Sequence, residues 1–142
     1  MITEKIKYLR EELEITQNEI ANKLDVTRSA YSLWELNKNV IPLNYLNKIS
    51  NLYDVNIDYL AGLSNLKTTE FKKVEIDRKE LGKRIRAARK SINYTQEMLA
   101  AKLNTTHSVI SAYENGKTKI PTLFLIEIAR LTNKSLNWFL DK

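Results

Sequence analysis

Apolar residues recur at helical spacing along most of the chain. Ile6, Leu9 and Leu13 lie three and four positions apart, which predicts a first helix with one apolar face. Ile20 and Leu24 repeat this spacing after a polar break, and they predict a short second helix. The pattern therefore favours short amphipathic helices packed on a shared core.

Polar residues with capping chemistry stand where these helices should begin and end. Thr16 precedes the second helix and Thr27 precedes a third, and each can accept a hydrogen bond from an unpaired helical N–H. Asp25 follows the second helix, and aspartate and asparagine tolerate a left-handed backbone better than most residues. A tight turn is predicted between the second and third helices.

The third helix is predicted to place Tyr31 and Trp34 on its inward face, three residues apart. Its outward face then carries Arg28, Ser29, Ser32 and Leu33. After Pro42, the positions of Leu46, Ile49 and Leu52 predict a fourth helix, and residues 56–61 predict a short fifth.

The whole pattern occurs twice. A shift of 79 positions aligns residues 4–63 with 83–142 without a gap, and TQNEIANKLDVTRSAYSLWELN at 16–37 becomes TQEMLAAKLNTTHSVISAYENG at 95–116. We name these segments copy one and copy two. An ungapped match of this length indicates duplication of a whole domain. The predicted domains are 1–63 and 77–142, joined by a short polar linker at 64–76, with Asp77 as the cap of the first helix of the second domain.

The amino-acid composition limits the fold classes and the chemical activities that fit this chain. Only 3 glycines and 2 prolines occur among 142 residues, which favours an all-α protein. The chain has no cysteine, a single histidine and no glycine-rich phosphate loop, so we expect no enzymatic activity, no cofactor and no metal site. Its apolar runs are too short for a signal peptide or a membrane span, so a cytoplasmic protein without membrane contact is expected.

The motifs resemble those of the phage-repressor and Cro family of helix-turn-helix regulators. The resemblance is carried by the Thr-Gln pair, the alanine three residues before a leucine, the second capping threonine, the aromatic-Glu pair and the Ile-Pro before the fourth helix. It implies two tandem five-helix lambda-repressor-like domains. It also implies a sequence-specific DNA-binding transcriptional regulator, a repressor of phage or bacterial origin, whose recognition helices at about 28–36 and 107–115 enter the major groove of double-stranded DNA.

The family's functional positions can be carried over one by one. The resemblance implies DNA contacts from polar side chains at the second and third helices and the loop that follows: Gln17, Thr27, Arg28, Ser29, Ser32 and Lys38 in copy one, and Gln96, Thr106, His107, Ser108, Ser111, Asn115, Lys117 and Lys119 in copy two. Small polar residues there let a helix approach base edges closely, and Arg28 is the best candidate for pairing with guanine. Structural ion pairs are implied for Arg10 with Glu35 and for Arg89 with Glu114.

The two copies differ in formal net charge. Residues 1–66 carry 7 basic and 9 acidic side chains, whereas residues 83–142 carry 11 and 4, a net charge of +7. Because lysine and arginine supply the sequence-independent attraction to DNA, copy two is predicted to be the main DNA reader. The basic run at 83–90 fits either a solvated helix face or a phosphate contact.

Copy one departs from the family where DNA contact is implied. Leu33 and Leu36 place apolar side chains there, and these fit a protein interface, thymine methyl groups or isolated surface leucines. The alternative function is thus a protein-binding module, such as an antitoxin or a partner-regulated repressor, whose copy one mediates homodimerisation or binds a regulatory protein.

The linker leaves two assemblies open. Its 13 residues span at most about 45 Å, so one chain could reach two half-sites about 34 Å apart. In the other assembly, two chains each read one half-site with copy two, and the charge difference between the copies favours this homodimer.

Overall fold

A computed structural model describes the whole chain, residues 1–142. The chain divides into two compact units, Met1–Glu70 and Phe71–Lys142, and each unit contains five α-helices. No strand occurs, so the predicted all-α class and the tandem arrangement are confirmed. None of the helices has both the length and the apolar character needed to cross a membrane.

The second and third helices of the first unit begin at the predicted caps, and the unit contains five helices. They are α1 (Ile2–Glu12), α2 (Gln17–Leu24), α3 (Arg28–Glu35), α4 (Leu43–Tyr53) and α5 (Ile57–Leu60). The Thr16 hydroxyl accepts from the backbone N–H of Glu19, and the Glu19 side chain accepts from the backbone of Thr16, so α2 begins with a complete capping box. Thr27 caps α3 through the N–H of Ala30.

The second unit repeats this order with a longer first helix. Its helices are α6 (Arg78–Ser91), α7 (Gln96–Lys102), α8 (His107–Glu114), α9 (Thr122–Thr132) and α10 (Leu136–Leu140). The Asp77 carboxylate accepts from the N–H groups of Lys79 and Glu80, which confirms the predicted cap. Helix α6 has 14 residues, whereas α1 has 11.

The turns between the second and third helices use left-handed backbone conformations. Asp25 has a φ of 58° and Asn104 a φ of 53°, as predicted. A second left-handed position follows each third helix, at Asn37 and Gly116. These turns place the N-terminal end of each third helix near its second helix.

Each core lies where the five helices meet. The aligned residues Ile6 and Ile85, and Ile49 and Ile128, are essentially inaccessible to solvent. Tyr31 and Ile110, which are aligned with each other, are also fully buried, and Trp34 and Tyr113 are buried as predicted.

Two predicted core positions, Leu13 and Leu52, are wrong. Leu13 is 59% exposed because α1 ends at Glu12 and the chain turns away at that residue. Leu52 is 39% exposed because six residues past Leu46 correspond to a rotation of about 240° around a helix. Trp138 is only partly buried, and the cationic groups of Arg84 and Lys134 cover its ring.

Parts of the predicted linker pack on the adjacent units. The backbone N–H of Asn56 donates to the carbonyl of Lys67 at 2.9 Å, and its side-chain amide donates to the carbonyl of Leu66 at 3.1 Å. In the second unit, the ammonium of Lys142 lies 4.7 Å from the centre of the Phe71 ring. Each unit therefore includes residues of the predicted linker that lie outside the repeated helices.

Candidate nucleic-acid interface

The N-terminal end of α3 is a solvent-exposed polar surface in copy one. Thr27, Arg28 and Ser29 are exposed, whereas Ser32 lies one turn further along and is partly buried. The hydroxyl of Thr27 already accepts the capping hydrogen bond from Ala30, at 3.1 Å. Arg28 is thus the one long, charged side chain at the start of this helix.

Copy two presents the equivalent surface at the start of α8. Thr106, His107 and Ser108 are exposed and Ser111 is partly buried. The side-chain amide of Asn115 donates to the hydroxyl of Ser111 at 3.3 Å, so two of the predicted DNA-contacting residues are hydrogen-bonded to each other.

The loop after each third helix is also exposed. Lys38 in copy one and its counterpart Lys117 in copy two lie in these loops, and copy two adds Lys119. Copy one carries Val40, which is 53% exposed, at the position of Lys119. It carries Leu36, 60% exposed, at the position of Asn115, while Leu33 is partly buried.

Glu97 belongs to this surface and was missed by the sequence analysis. Its carboxylate Oε1 lies 3.7 Å from Nε2 of His107, and both side chains are largely exposed. A hydrogen bond from its own backbone N–H lowers the pKa of Glu97, and the nearby His107 adds to this effect. One signal in the sequence points to this surface: Glu97 directly follows Gln96 and lies in the first turn of α7.

The glutamines predicted to contact DNA have partners inside their own units. Nε2 of Gln17 donates to Oε2 of Glu35 at 2.8 Å, and Nε2 of Gln96 donates to Oε1 of Glu114 at 3.1 Å. An amide nitrogen carries two hydrogens, so each glutamine keeps a second donor. Their contact with DNA stays a prediction.

In copy one, Glu35 is the buried centre of a polar network. Arg10 donates from Nε and Nη2 to the two carboxylate oxygens, at 2.6 and 3.1 Å, and the Tyr31 hydroxyl donates at 2.8 Å. Burial alone would raise the pKa of Glu35, but the hydrogen bonds from Arg10, Gln17 and Tyr31 outweigh it and lower this pKa. Burial, followed by the hydrogen bond to Glu35, raises the pKa of Tyr31.

Copy two contains the same pair without the tyrosine. Arg89 donates to Glu114 from Nε at 2.7 Å and from Nη2 at 2.9 Å, and its Nη1 donates to the carbonyl of Tyr94 at 2.7 Å. Ile110 occupies the position of Tyr31. Each pair ties the last turn of the third helix of a unit to the first helix of that unit, and this fixes the orientation of the exposed polar face.

The comparisons with known proteins agree with this arrangement. The helix-turn-helix family model matches residues 6–60 and 85–139. The chain is 42% identical over 77 residues to an uncharacterised HTH-type transcriptional regulator, YqaE, of Bacillus subtilis (strain 168), covering 52% of this chain and 66% of that protein. It is 31% identical over 65 residues to the uncharacterised HTH-type transcriptional regulator YobD of the same organism, covering 46% and 58%.

A third relative from the same organism, the HTH-type transcriptional regulator ImmR, is 37% identical over 62 residues, covering 44% of this chain and 49% of that protein. This chain thus spans less than two thirds of the length of each relative. No solved structure matches it significantly. Because the family model matches most of both copies, the chain belongs to the helix-turn-helix family and contains two copies of its domain in tandem.

Proposed function

We propose that this protein is a sequence-specific DNA-binding transcriptional regulator that acts as a repressor, with copy two as its main DNA reader. In this proposal, α8 enters the major groove and the loop after it lies along the phosphate backbone.

The observation that carries the proposal is the exposed start of α8 within a strongly basic segment. His107 and Ser108 are short, polar and exposed, and Lys117 and Lys119 are exposed in the following loop. Residues 83–142 carry a net charge of +7. Short side chains allow the helix to approach base edges, while the lysines displace counterions from phosphates.

Two further findings support the proposal. The Arg89–Glu114 pair holds α8 against α6, and a rigid element positions base-reading side chains more accurately than a mobile one. The relatives YqaE and ImmR are named as transcriptional regulators.

The direct test is selection of duplexes from a random-sequence library by the full chain. A DNA-binding regulator should enrich a defined motif, and its affinity for that motif should fall with salt at a slope of about −0.9 per phosphate contacted. A repressor should then lower transcription from a promoter that carries the motif. Failure to enrich any sequence would overturn the DNA-reading role, and increased transcription would overturn the repressor role alone.

Matched variants in the two copies show which copy reads DNA. Ser108→Glu places a carboxylate against the groove and should weaken binding at least about tenfold, whereas Ser29→Glu, its counterpart in copy one, should weaken it less. Lys117→Gln should reduce the salt slope by about one, with Lys38→Gln as the matched control. Equal losses in the two copies would mean that both read DNA.

A second candidate function rests on the exposed apolar side chains of copy one. Leu36 and Val40 are more than half exposed where copy two has a polar residue and a lysine. In this alternative, copy one uses this surface to form a homodimer or to bind a regulatory protein, while copy two anchors the complex to DNA. An exposed apolar patch with a polar rim is typical of a contact surface, and these two residues would belong to such a patch in this alternative.

The double change Leu36→Asn and Val40→Lys gives copy one the residues of copy two and separates the candidates. Loss of dimer in sedimentation equilibrium with unchanged DNA affinity would support the assembly role. Tighter DNA binding with unchanged assembly would instead identify copy one as a DNA-facing domain whose affinity these apolar residues limit.

A further inference from the structure

We propose that the carboxylate of Glu97 opposes sequence-independent DNA binding by copy two. Glu97 is thereby a selectivity-determining residue. This inference rests on the proposed function, because it requires the start of α8 to face DNA.

The two residues are close on an exposed surface. His107 is the first residue of α8 and Glu97 lies in the first turn of α7, with Nε2 and Oε1 3.7 Å apart. Arg89 of α6 is the other charged group that acts on Glu97, and the hydroxyl of Thr95 also hydrogen-bonds to it. Arg89 itself is committed to the buried Glu114.

Glu97 differs from the other acids of copy two. Residues 83–142 contain four, and three of them pair with an arginine: Glu114 with Arg89, Glu127 with Arg130, and Asp141 with Arg84. Glu97 pairs with a histidine, which is charged only when it is protonated. Its charge is therefore not paired with a permanent cation in the way that the other three are.

Copy one does not have this arrangement. Asn18 and Arg28 occupy the positions of Glu97 and His107, so a neutral amide and a permanent cation replace the acid and the histidine. With histidine counted as neutral, the two positions carry a formal charge of +1 in copy one and −1 in copy two.

The effect has a defined direction. DNA phosphates that approach the start of α8 are repelled by the Glu97 carboxylate. Removing this charge should therefore raise DNA affinity.

The experiment measures the affinity of the full chain for a mixed-sequence duplex and for the selected motif. Glu97→Gln should raise affinity for the mixed-sequence duplex by roughly fivefold, the effect of one unit charge near contact in water. Affinity for the selected motif should rise less, so selectivity should fall.

Glu127→Gln is the matched control, because it removes one exposed acid of copy two on another helix. It should leave selectivity unchanged. An unchanged affinity in Glu97→Gln, or an equal effect of Glu97→Gln and Glu127→Gln, would overturn this inference and leave the proposed function intact. Absence of DNA binding by the full chain would overturn both, and unfolding curves show whether the variants remain folded.

Discussion

Arg89 and Glu114 form a two-point contact, with Nε 2.7 Å from Oε2 and Nη2 2.9 Å from Oε1. They lie 25 positions apart, and they join α6, the first helix of the second unit, to the end of α8. Arg10 and Glu35 form the equivalent contact in the first unit. Because both partners are largely buried, the contact fixes orientation and also creates a cost if one partner is lost.

The first prediction is that Glu114→Ala destabilises the second unit by about 3–5 kcal/mol, because the buried guanidinium of Arg89 loses its counterion. Unfolding in urea, followed by tryptophan fluorescence, measures this loss. The chain has two tryptophans, Trp34 and Trp138, one in each unit. Trp34→Tyr, which installs the residue that copy two carries at this position, leaves Trp138 as the reporter of the second unit.

Replacing both partners is the control. Arg89→Met together with Glu114→Leu removes the charges and keeps most of the volume, so it should be less destabilising than Glu114→Ala alone. If the single change costs less than about 1 kcal/mol, the pair behaves like an exposed ion pair and does not fix α8.

The second prediction concerns Tyr31, which hydrogen-bonds to Glu35 at 2.8 Å only in copy one. Tyr31→Phe should destabilise the first unit by about 1.5 kcal/mol at neutral pH, because it removes a hydrogen bond to a buried charged group. Trp138→Tyr leaves Trp34 as the reporter of this unit. Tyr113→Phe, whose ring packs edge-on against Phe124, should change the stability of the second unit by less than about 0.5 kcal/mol.

The effect of Tyr31→Phe should depend on pH with a definite sign. The folded-state pKa of Glu35 is lowered, so the ionised carboxylate stabilises the fold above its unfolded-state pKa, and this contribution is lost as pH falls through the folded-state value. Tyr31 helps to lower that pKa. The difference between wild type and Tyr31→Phe should therefore shrink below about pH 4, and a difference that grows in acid would contradict this account.

Local chemistry made much of the fold predictable. The threonine caps at Thr16 and Thr27 and the left-handed turns at Asp25 and Asn104 depend on interactions within a few residues, so the sequence contains the necessary information. The two ion pairs join residues that lie 25 positions apart, and no local sequence pattern connects such positions. They could therefore be expected only from the family resemblance.

The remaining features depend on distances between helices. The approach of Glu97 to His107 requires the turn that brings the starts of α7 and α8 together, and helical periodicity does not describe that turn. The polarity of residues 64–76 predicts a linker between the two domains. Its flanks nevertheless pack on their units through the carbonyl of Lys67 and the ring of Phe71.

Gly82 also lies where the distance between two helices is decisive, and it provides the third prediction. A Cβ at this position would lie 2.7 Å from the carbonyl oxygen of Tyr113, and closer still to that of Glu114. Helix α6 thus approaches the end of α8 at a distance that only glycine allows. Gly82→Ala should destabilise the second unit by about 1–3 kcal/mol, despite the better helix propensity of alanine.

The matched position in copy one is Thr3, where a larger side chain is accommodated and its hydroxyl lies 3.3 Å from Oδ1 of Asn37. Thr3→Ala should change the stability of the first unit by less than about 0.5 kcal/mol. A neutral or stabilising Gly82→Ala would show that α6 and α8 can separate without cost. The same variant should weaken DNA binding if the position of α8 determines base reading.

The fourth prediction concerns the boundary between the two units. Thr68, Thr69 and Glu70 are exposed, whereas Val74 and Ile76 line a groove with Phe139 and Leu140 in the second unit. Proteases cut segments that open readily, and a segment packed on its unit must first detach. A glutamate-specific protease should therefore cut after Glu70 before it cuts after Glu75, and mass spectrometry of the early fragments identifies the order. Glu70→Gln should delay the separation of the two units, whereas first cleavage after Glu75 in the wild type would mean that residues 71–76 are not held against the second unit.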